Sequence, residues 1–253
     1  MTIICLDKGH KGKLLGQDCG CVGNGLYESD LTENIGNAIS IHLKNNYDVD
    51  VRIAPRGTLT DRTNFANSIN ADYFLSVHIN SATSKATGFE SFVHNNASQK
   101  SLDIQNILHT EIMEYMKKYN VFDRGKKRAN FAVLRNSKCN ACLIECLFIS
   151  NENDAKLLKD SNFLNGLSNN ITYGLVKALN LQLKVTEKIK NEEINEDMAL
   201  LDWQKKLGIN AIDILSKKGI INDPETWKED KNLESPIPGW LFFEVIKRVV
   251  EDK

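Results

Sequence analysis

Short β-rich apolar runs alternate with amphipathic helical stretches from residue 2 to about residue 181, and this alternation constrains the fold more than any other feature. Residues 2–7 are rich in β-formers and run into the glycine-flanked segment Lys8-Gly9-His10-Lys11-Gly12, a strand feeding a loop. Residues 29–45 place Leu31, Ile35, Ala38, Ile39 and Leu43 along one helical face, with Ser29 or Asp30 as N-cap. A strand at 49–53 and a helix at 59–69 follow, then strands at 73–79 and 88–94. A long helix at 98–119 carries Leu102, Ile104, Ile107, Leu108, Ile112 and Met116. Two more strands are predicted at 131–134 and 141–148, and a last helix at 162–181. Strands alternating with helices predict an α/β fold: a mostly parallel, twisted sheet flanked by helices.

The pattern stops at residue 183. Residues 183–196 are highly charged, hold few large apolar groups and read as a linker. Short amphipathic helices at 198–206, 210–218 and 239–251 then predict a small all-helical C-terminal domain at 197–253, beside a first domain at 1–182. A chain of 253 residues has room for both. Its net charge of −1 calls for no nucleic-acid partner. No run approaches the roughly eighteen apolar residues of a membrane span, so no membrane insertion is expected. The start, Met1-Thr-Ile-Ile-Cys-Leu-Asp7, lacks the basic opening of a secretory signal, so synthesis in the cytoplasm is expected. The six cysteines fit reduced thiols there. Cys19 with Cys21 and Cys139 with Cys142 could form a four-thiolate zinc site, against the plainer reading as packing; Cys5 and Cys146 read as small core residues.

Four polar groups lie where apolar strands end, the usual place for sites in α/β folds. His10 follows the first strand, Glu28 precedes the first helix, His78 sits in Phe74-Leu-Ser-Val-His78-Ile-Asn80, and Glu145 is flanked by Leu143-Ile144 and Cys146-Leu147-Phe148. A carboxylate inside so apolar a strand needs a compensating partner, because its desolvation costs several kcal/mol. A metal is the simplest compensation. Two imidazoles and one carboxylate form an open zinc set, which makes His10, Glu28 and His78 candidate ligands and Glu145 a candidate general base. Each also has a bland reading: a histidine in a strand is commonly a satisfied core or surface group, and Glu28 could be a first-turn helix acid. No HExxH-type motif selects the ligands. His42, His94 and His109 read as structural or surface groups.

These residues are embedded in blocks that resemble the type-3 zinc N-acetylmuramoyl-L-alanine amidases of bacterial wall enzymes and phage endolysins. The resemblance runs over about residues 3–180 through Ile4-Cys-Leu-Asp-Lys-Gly-His10-Lys-Gly12, Gly25-Leu-Tyr-Glu28-Ser-Asp-Leu, Asp61-Arg62-Thr-Asn-Phe-Ala-Asn67, Ala71-Asp-Tyr-Phe-Leu-Ser-Val-His78-Ile-Asn80, Gly88-Phe-Glu90 and Leu143-Ile-Glu145-Cys-Leu-Phe-Ile-Ser-Asn151. It implies one Zn2+ held by His10, Glu28 and His78, a catalytic Glu145, and hydrolysis of the amide between N-acetylmuramic acid and L-alanine in peptidoglycan. Lys8 stands where the family usually has proline and Lys11 where a second glycine is common; Glu33, five residues beyond Glu28, is its near rival as ligand. The long inserted helix that some members carry before Glu145 is not evident, so an open cleft is expected.

Residues 197–253 resemble, more briefly, helical C-terminal modules of clostridial-type wall hydrolases, which implies wall binding with Trp227 and Trp240 available to stack on sugars. Both tryptophans serve equally well as core of so small a domain. An internal translation start at Met198 would supply the free module for self-association with the full chain; a core methionine is the plainer reading. The implied role is a phage or prophage endolysin. The rivals are a zinc peptidase cutting within the stem peptide and a catalytically inactive wall-binding protein.

Overall fold

A computed structural model describes residues 1–12 and 18–184 and, beyond them, Ile212, Ser216, Glu225 and Lys228. Contacts divide the chain into Met1–Lys184 and Val185–Lys253. The expected linker beyond Lys184, Met198, Trp227, Trp240 and nearly all of the expected helical domain lie outside the described residues, although the four described positions there are helical.

The first unit runs β1 (Thr2–Lys8), β2 (Val22–Gly23), β3 (Leu26–Tyr27), α1 (Glu28–Asn46), β4 (Val49–Ile53), α2 (Leu59–Ser68), β5 (Tyr73–Asn80), β6 (Phe89–Val93), α3 (Gln99–Met116), β7 (Asp123–Arg128), α4 (Ala132–Asn136), β8 (Asn140–Phe148), α5 (Glu152–Lys159) and α6 (Ser161–Leu179). Six strands form one sheet in the order β4-β1-β5-β8-β6-β7. Every pairing is parallel except β6 with β8. Among the described residues, no helix is long and apolar enough to cross a membrane.

Period-two alternation sorts each central strand into two faces. Ile4, Leu6, Leu75, Val77, Cys142, Ile144 and Cys146 point into the larger core, with Leu31, Ile35, Ile39 and Leu43 of α1 and with α3 and α6. Cys5, Phe74, Ala141 and Leu143 point the other way, under Ala66 of α2 and Val133 and Leu134 of α4. The next residues along that second face are Asp7, Ser76, His78 and Glu145. Asp7 and Ser76 are still covered: Asp7 accepts from Ser76 Oγ at 2.7 Å and pairs with the buried Arg62 guanidinium at 3.1 Å. Farther along, the face emerges from cover. The strand around Glu145 thus looks uniformly apolar in sequence because one of its faces is all core and the other is apolar only for its first half.

Three local expectations are corrected. Residues 131–134 are not a strand: Ala132–Asn136 is a short helix capped at Phe131, and its Val133 and Leu134 close the smaller core. A four-residue apolar run does not carry enough period to separate the two states. The edge strand is instead the charged segment Asp123-Arg-Gly-Lys-Lys-Arg128. An edge strand has one partner and no need of an apolar face, and basic side chains guard it against pairing with other chains. Finally, α1 begins at Glu28, ahead of Ser29 and Asp30, because its first N–H groups donate to the carbonyls of Cys21 (2.9 Å) and Cys19 (3.1 Å), replacing a side-chain cap.

Beside the site, β8 carries an extra residue: His78 pairs with Glu145 but Asn80 pairs with Phe148, and the buried Leu147 takes φ 73°. Such bulges end a ladder and redirect its side chains. The bulge is stapled by buried Asp154, which accepts from Phe148 N (2.8 Å), Gly88 N (3.0 Å) and Thr87 Oγ1 (2.6 Å). Asp154→Ala strands two buried N–H groups and is expected to cost about 2–5 kcal/mol in urea unfolding.

Candidate active site

His10, Glu28 and His78 come from three distant segments and meet at one point, their donor atoms within 4.8 Å of one another. His10 leaves β1 with φ 68°, a left-handed conformation that turns its ring back over the end of the sheet. Glu28, at the first position of α1, is almost wholly buried at 1 % exposure. His78 stands on the uncovered face of β5. One oxygen of Glu28 lies 2.9 Å from His78 Nδ1 and accepts from Ile79 N at 3.0 Å; the other lies 3.1 Å from His10 Nε2 and accepts from Cys21 N at 2.8 Å. The rings of His10 and His78 meet edge to face, 5.1 Å between centroids.

The backbone around them is fitted closely. A Cβ on Gly20, whose φ is +71°, would stand 2.5 Å from Glu28 Oε2 and 2.6 Å from the His10 ring. One on Gly9 would stand 2.6 Å from the His78 ring. His10 Nδ1 donates to Asp18 Oδ1 at 2.7 Å, which fixes its tautomer and leaves Nε2 for a ligand. Nothing in the sequence singled out Asp18; a search of the loop after His10 for an orienting carboxylate is the one signal that could have.

Electrostatics follow the geometry. Burial opposes the charge of Glu28, but hydrogen bonds from His10 and His78 outweigh it and hold the carboxyl far below its usual range. Burial also works against the imidazolium of His10, yet Glu28 and Asp18 push it up to about 8; His78 is raised in the same way by Glu28 and Glu145. The site is a negative charge with cations drawn in around it, the arrangement a divalent ion would relieve.

Glu145 is outside the trio. It is the parallel-register partner of His78 and the antiparallel partner of Glu90. Its Oε2 is buried and makes no hydrogen bond within the chain. Burial pushes its pKa up to about 7, with Glu28 and Glu90 adding and the two imidazoles opposing. The partner demanded by its apolar setting is therefore partly His78 and partly a proton. Glu90 next door has the opposite fate: Asn80 Nδ2 donates to one oxygen at 2.6 Å, and Arg124 Nε at 3.0 Å and Lys127 Nζ donate to the other.

Among the described residues, His10, Glu28 and His78 are the one group of three or more His, Cys, Asp or Glu side chains able to hold a metal ion. The cysteines weighed as a thiolate site do not converge. Cys139 and Cys142 pack in the core at the start of β8, while burial and Glu28 push the Cys21 thiol up to about 12, leaving no thiolate. Glu33, the rival to Glu28, pairs instead with Lys8 (2.6 Å) and Arg56. His42 contacts Asn169 and His94 contacts Asn130. Buried His109 links Ser91 Oγ (2.8 Å) to Asp123 Oδ1 (2.9 Å), but Ser91 is fully buried and cannot meet a substrate.

Known proteins share this arrangement of strands. The chain is 39% identical over 188 residues to an endolysin of Bacillus phage SPP1, covering 72% of this chain and 68% of the phage protein. It is 39% identical over 187 residues to a sporulation-specific N-acetylmuramoyl-L-alanine amidase of Bacillus subtilis (strain 168), covering 72% and 70%. The crystal structure of an N-acetylmuramoyl-L-alanine amidase from Clostridium difficile 630 superposes with a TM-score of 0.65 at 28% identity, over 71% of this chain and 97% of that one. A family model described as N-acetylmuramoyl-L-alanine amidase matches residues 4–177, which takes in His10, Glu28, His78 and Glu145, and the chain belongs to that family.

Proposed function

We propose that the chain is a zinc-dependent hydrolase of the amide bond between N-acetylmuramic acid and L-alanine in peptidoglycan. The observation that carries this reading is the convergence of His10, Glu28 and His78 beside a protonatable Glu145 whose buried Oε2 makes no hydrogen bond within the chain. Two imidazoles and a carboxylate suit one Zn2+ with a position left over, and Asp18 supplies the outer hydrogen bond that a ligating imidazole needs. When bound, the ion supplies Lewis acidity that polarises the scissile carbonyl and makes water a better nucleophile.

The chain's own groups do the rest. Glu145, with a pKa near neutrality, takes a proton from the attacking water and delivers it to the departing nitrogen of alanine, so one carboxyl serves as base and then acid. Glu28 cannot share that task, because as a ligand it would be held by the ion while its two oxygens accept from the backbone N–H groups of Ile79 and Cys21. Digestion of purified walls tests the reading. New free amines, lost with a chelator and restored by Zn2+, and a product with L-alanine at its new N-terminus are expected. Cleavage between amino acids would instead make the protein a zinc peptidase, and zinc-replete protein that releases no amine would make it an inactive wall-binding protein.

Similarity to a phage endolysin supports a lytic role, as a phage or prophage endolysin acting on the bacterial cell wall. Equal identity to a sporulation-specific amidase favours a second setting, turnover of the producing cell's own wall, with the same chemistry. For residues 197–253 we propose wall binding. Removing residues 185–253, outside the compact unit Met1–Lys184, should leave amide cleavage of soluble muramoyl peptides intact and weaken sedimentation with whole walls. Equal sedimentation of the shortened chain would remove the targeting role.

A further inference from the structure

The strand order lines up four side-chain sites across the uncovered face. His78 stands on β5, Glu145 on β8, Glu90 on β6, and Arg124 with Lys127 on β7, each strand paired with the next. The first two belong to the chemistry proposed above; the last three do not.

The edge strand is shaped to present its cations. Phe89 pairs with Asp123 but Ser91 pairs with Lys126, so β7 carries an extra residue at Arg124-Gly125, with Gly125 at φ 85°. The bulge turns Arg124 onto the face of Glu90, where its guanidinium lies 4.7 Å from the centroid of the Phe148 ring. Gly125 N donates to Asp123 Oδ1 at 2.8 Å, and that carboxylate is held from behind by buried His109. Gln105 Nε2 donates to the carbonyls of Ser91 (2.9 Å) and Lys127 (3.3 Å), tying the same strand down. The chain from buried Ser91 and His109 to exposed Asp123 is therefore a brace for a basic bulge.

The charges there do not balance. Glu90 is the one carboxylate in ion-pair contact with Arg124 or Lys127 among the described residues, and it faces both. Arg124 and Lys127 keep 30% and 37% of their side chains exposed, whereas Glu90 is buried. One positive charge is left over, at the surface, on a guanidinium whose plane is fixed by an aromatic ring and a carbonyl, that of Thr87. A planar, oriented guanidinium with spare N–H groups is built to accept a carboxylate.

We propose that Arg124, backed by Lys127, is a carboxylate-binding subsite for the peptide that departs as the amine, a reading that rests on the amidase function proposed above. Neighbouring strands lie about 4.8 Å apart, which puts β7 about 10 Å from β8 and its Glu145. An extended peptide covers that distance in about three residues. The ligand's carboxylate must lie on the peptide side, because the muramic acid carboxyl is itself consumed in the scissile amide and the sugar offers hydroxyl and acetamido groups only. The subsite would thus select walls whose stem peptides carry a free carboxylate near the alanine over walls where it is a carboxamide.

The test uses the full zinc-loaded chain and two substrates: N-acetylmuramoyl-L-alanyl-D-glutamate with its carboxylates free, and the same compound with both as carboxamides. The wild type is expected to favour the acid by about tenfold or more in kcat/KM, the effect of one charge-assisted hydrogen bond. In Arg124→Gln that ratio should fall below about twofold, and Arg124→Lys, which keeps charge but loses the fork, should be intermediate. A wild-type preference that survives in Arg124→Gln, or no wild-type preference at all, overturns the subsite. Calorimetric titration with the two alanyl dipeptides, acid and diamide, separates this from failure of the amidase reading. Acid-selective binding that disappears in Arg124→Gln upholds the subsite even if neither muramoyl compound is cut; equal binding of the two overturns it even if both are.

Discussion

Glu145→Ala is expected to keep a full complement of zinc and to lower kcat by about three orders of magnitude, with KM little changed. The separation follows from position. Glu145 is next to His10, Glu28 and His78 on the strand neighbouring β5, yet none of its atoms takes part in the group able to hold an ion. In the proposed mechanism its contribution is to move a proton while the water attacks and the amine leaves, an interaction made only in the transition state. Glu145→Gln, which keeps the shape and cannot take the proton, should fall as far. Metal analysis alongside single-turnover rates checks both variants. Loss of zinc from Glu145→Ala would show that this carboxylate is a ligand and that the division of roles is wrong.

Glu28→Ala should lose the metal. Structural zinc sites bind with about 10–16 kcal/mol spread over four ligands, so removing one costs about 3–4 kcal/mol, roughly a hundredfold to a thousandfold in affinity. Asp18→Ala removes an orienting bond to His10 and no ligand, so its cost should be smaller, about tenfold to a hundredfold. Acid works on the same equilibrium. With the ion absent, His10 is raised to about 8 and His78 is raised as well, so near neutral pH the metal must displace the proton of His10, and in more acid solution that of His78 too. Each raised pKa means proton held below that value and site free above it. Apparent zinc affinity should therefore fall as pH drops below about 8, by about tenfold per pH unit while His10 alone takes up its proton and by about a hundredfold once His78 does so as well. Competition with a chelator of known affinity between pH 6 and 9 measures the slope. A pH-independent affinity would remove the imidazoles from the ligand set.

Some of this was legible because the sequence repeats its physics locally. The face carrying Leu31, Ile35, Ile39 and Leu43 recurs at helical spacing and is buried as such. Glu145 advertised itself by being charged within an apolar strand, and the unpartnered Oε2 is the same anomaly in three dimensions. The edge strand was illegible for the converse reason: Asp123–Arg128 buries no face of its own, and its pairing is imposed by Gln105 and His109 from a helix fourteen or more residues earlier in the chain. Phe131 to Leu134 misled because four apolar residues suit a helix closing a core as well as a strand entering one.

The sequence by itself determined the strand–helix alternation, the resemblance over its first 180 or so residues, and the four residues worth asking about. The tertiary structure decided that Glu28 rather than Glu33 completes the trio, that Asp18 orients His10, and that Glu90 and Glu145, chemically identical neighbours, differ in how readily they take a proton. Those outcomes depend on which side chains a parallel register and two bulges bring face to face. Contacts between residues 8 to 69 positions apart leave no periodicity in the chain, and only folding makes them neighbours.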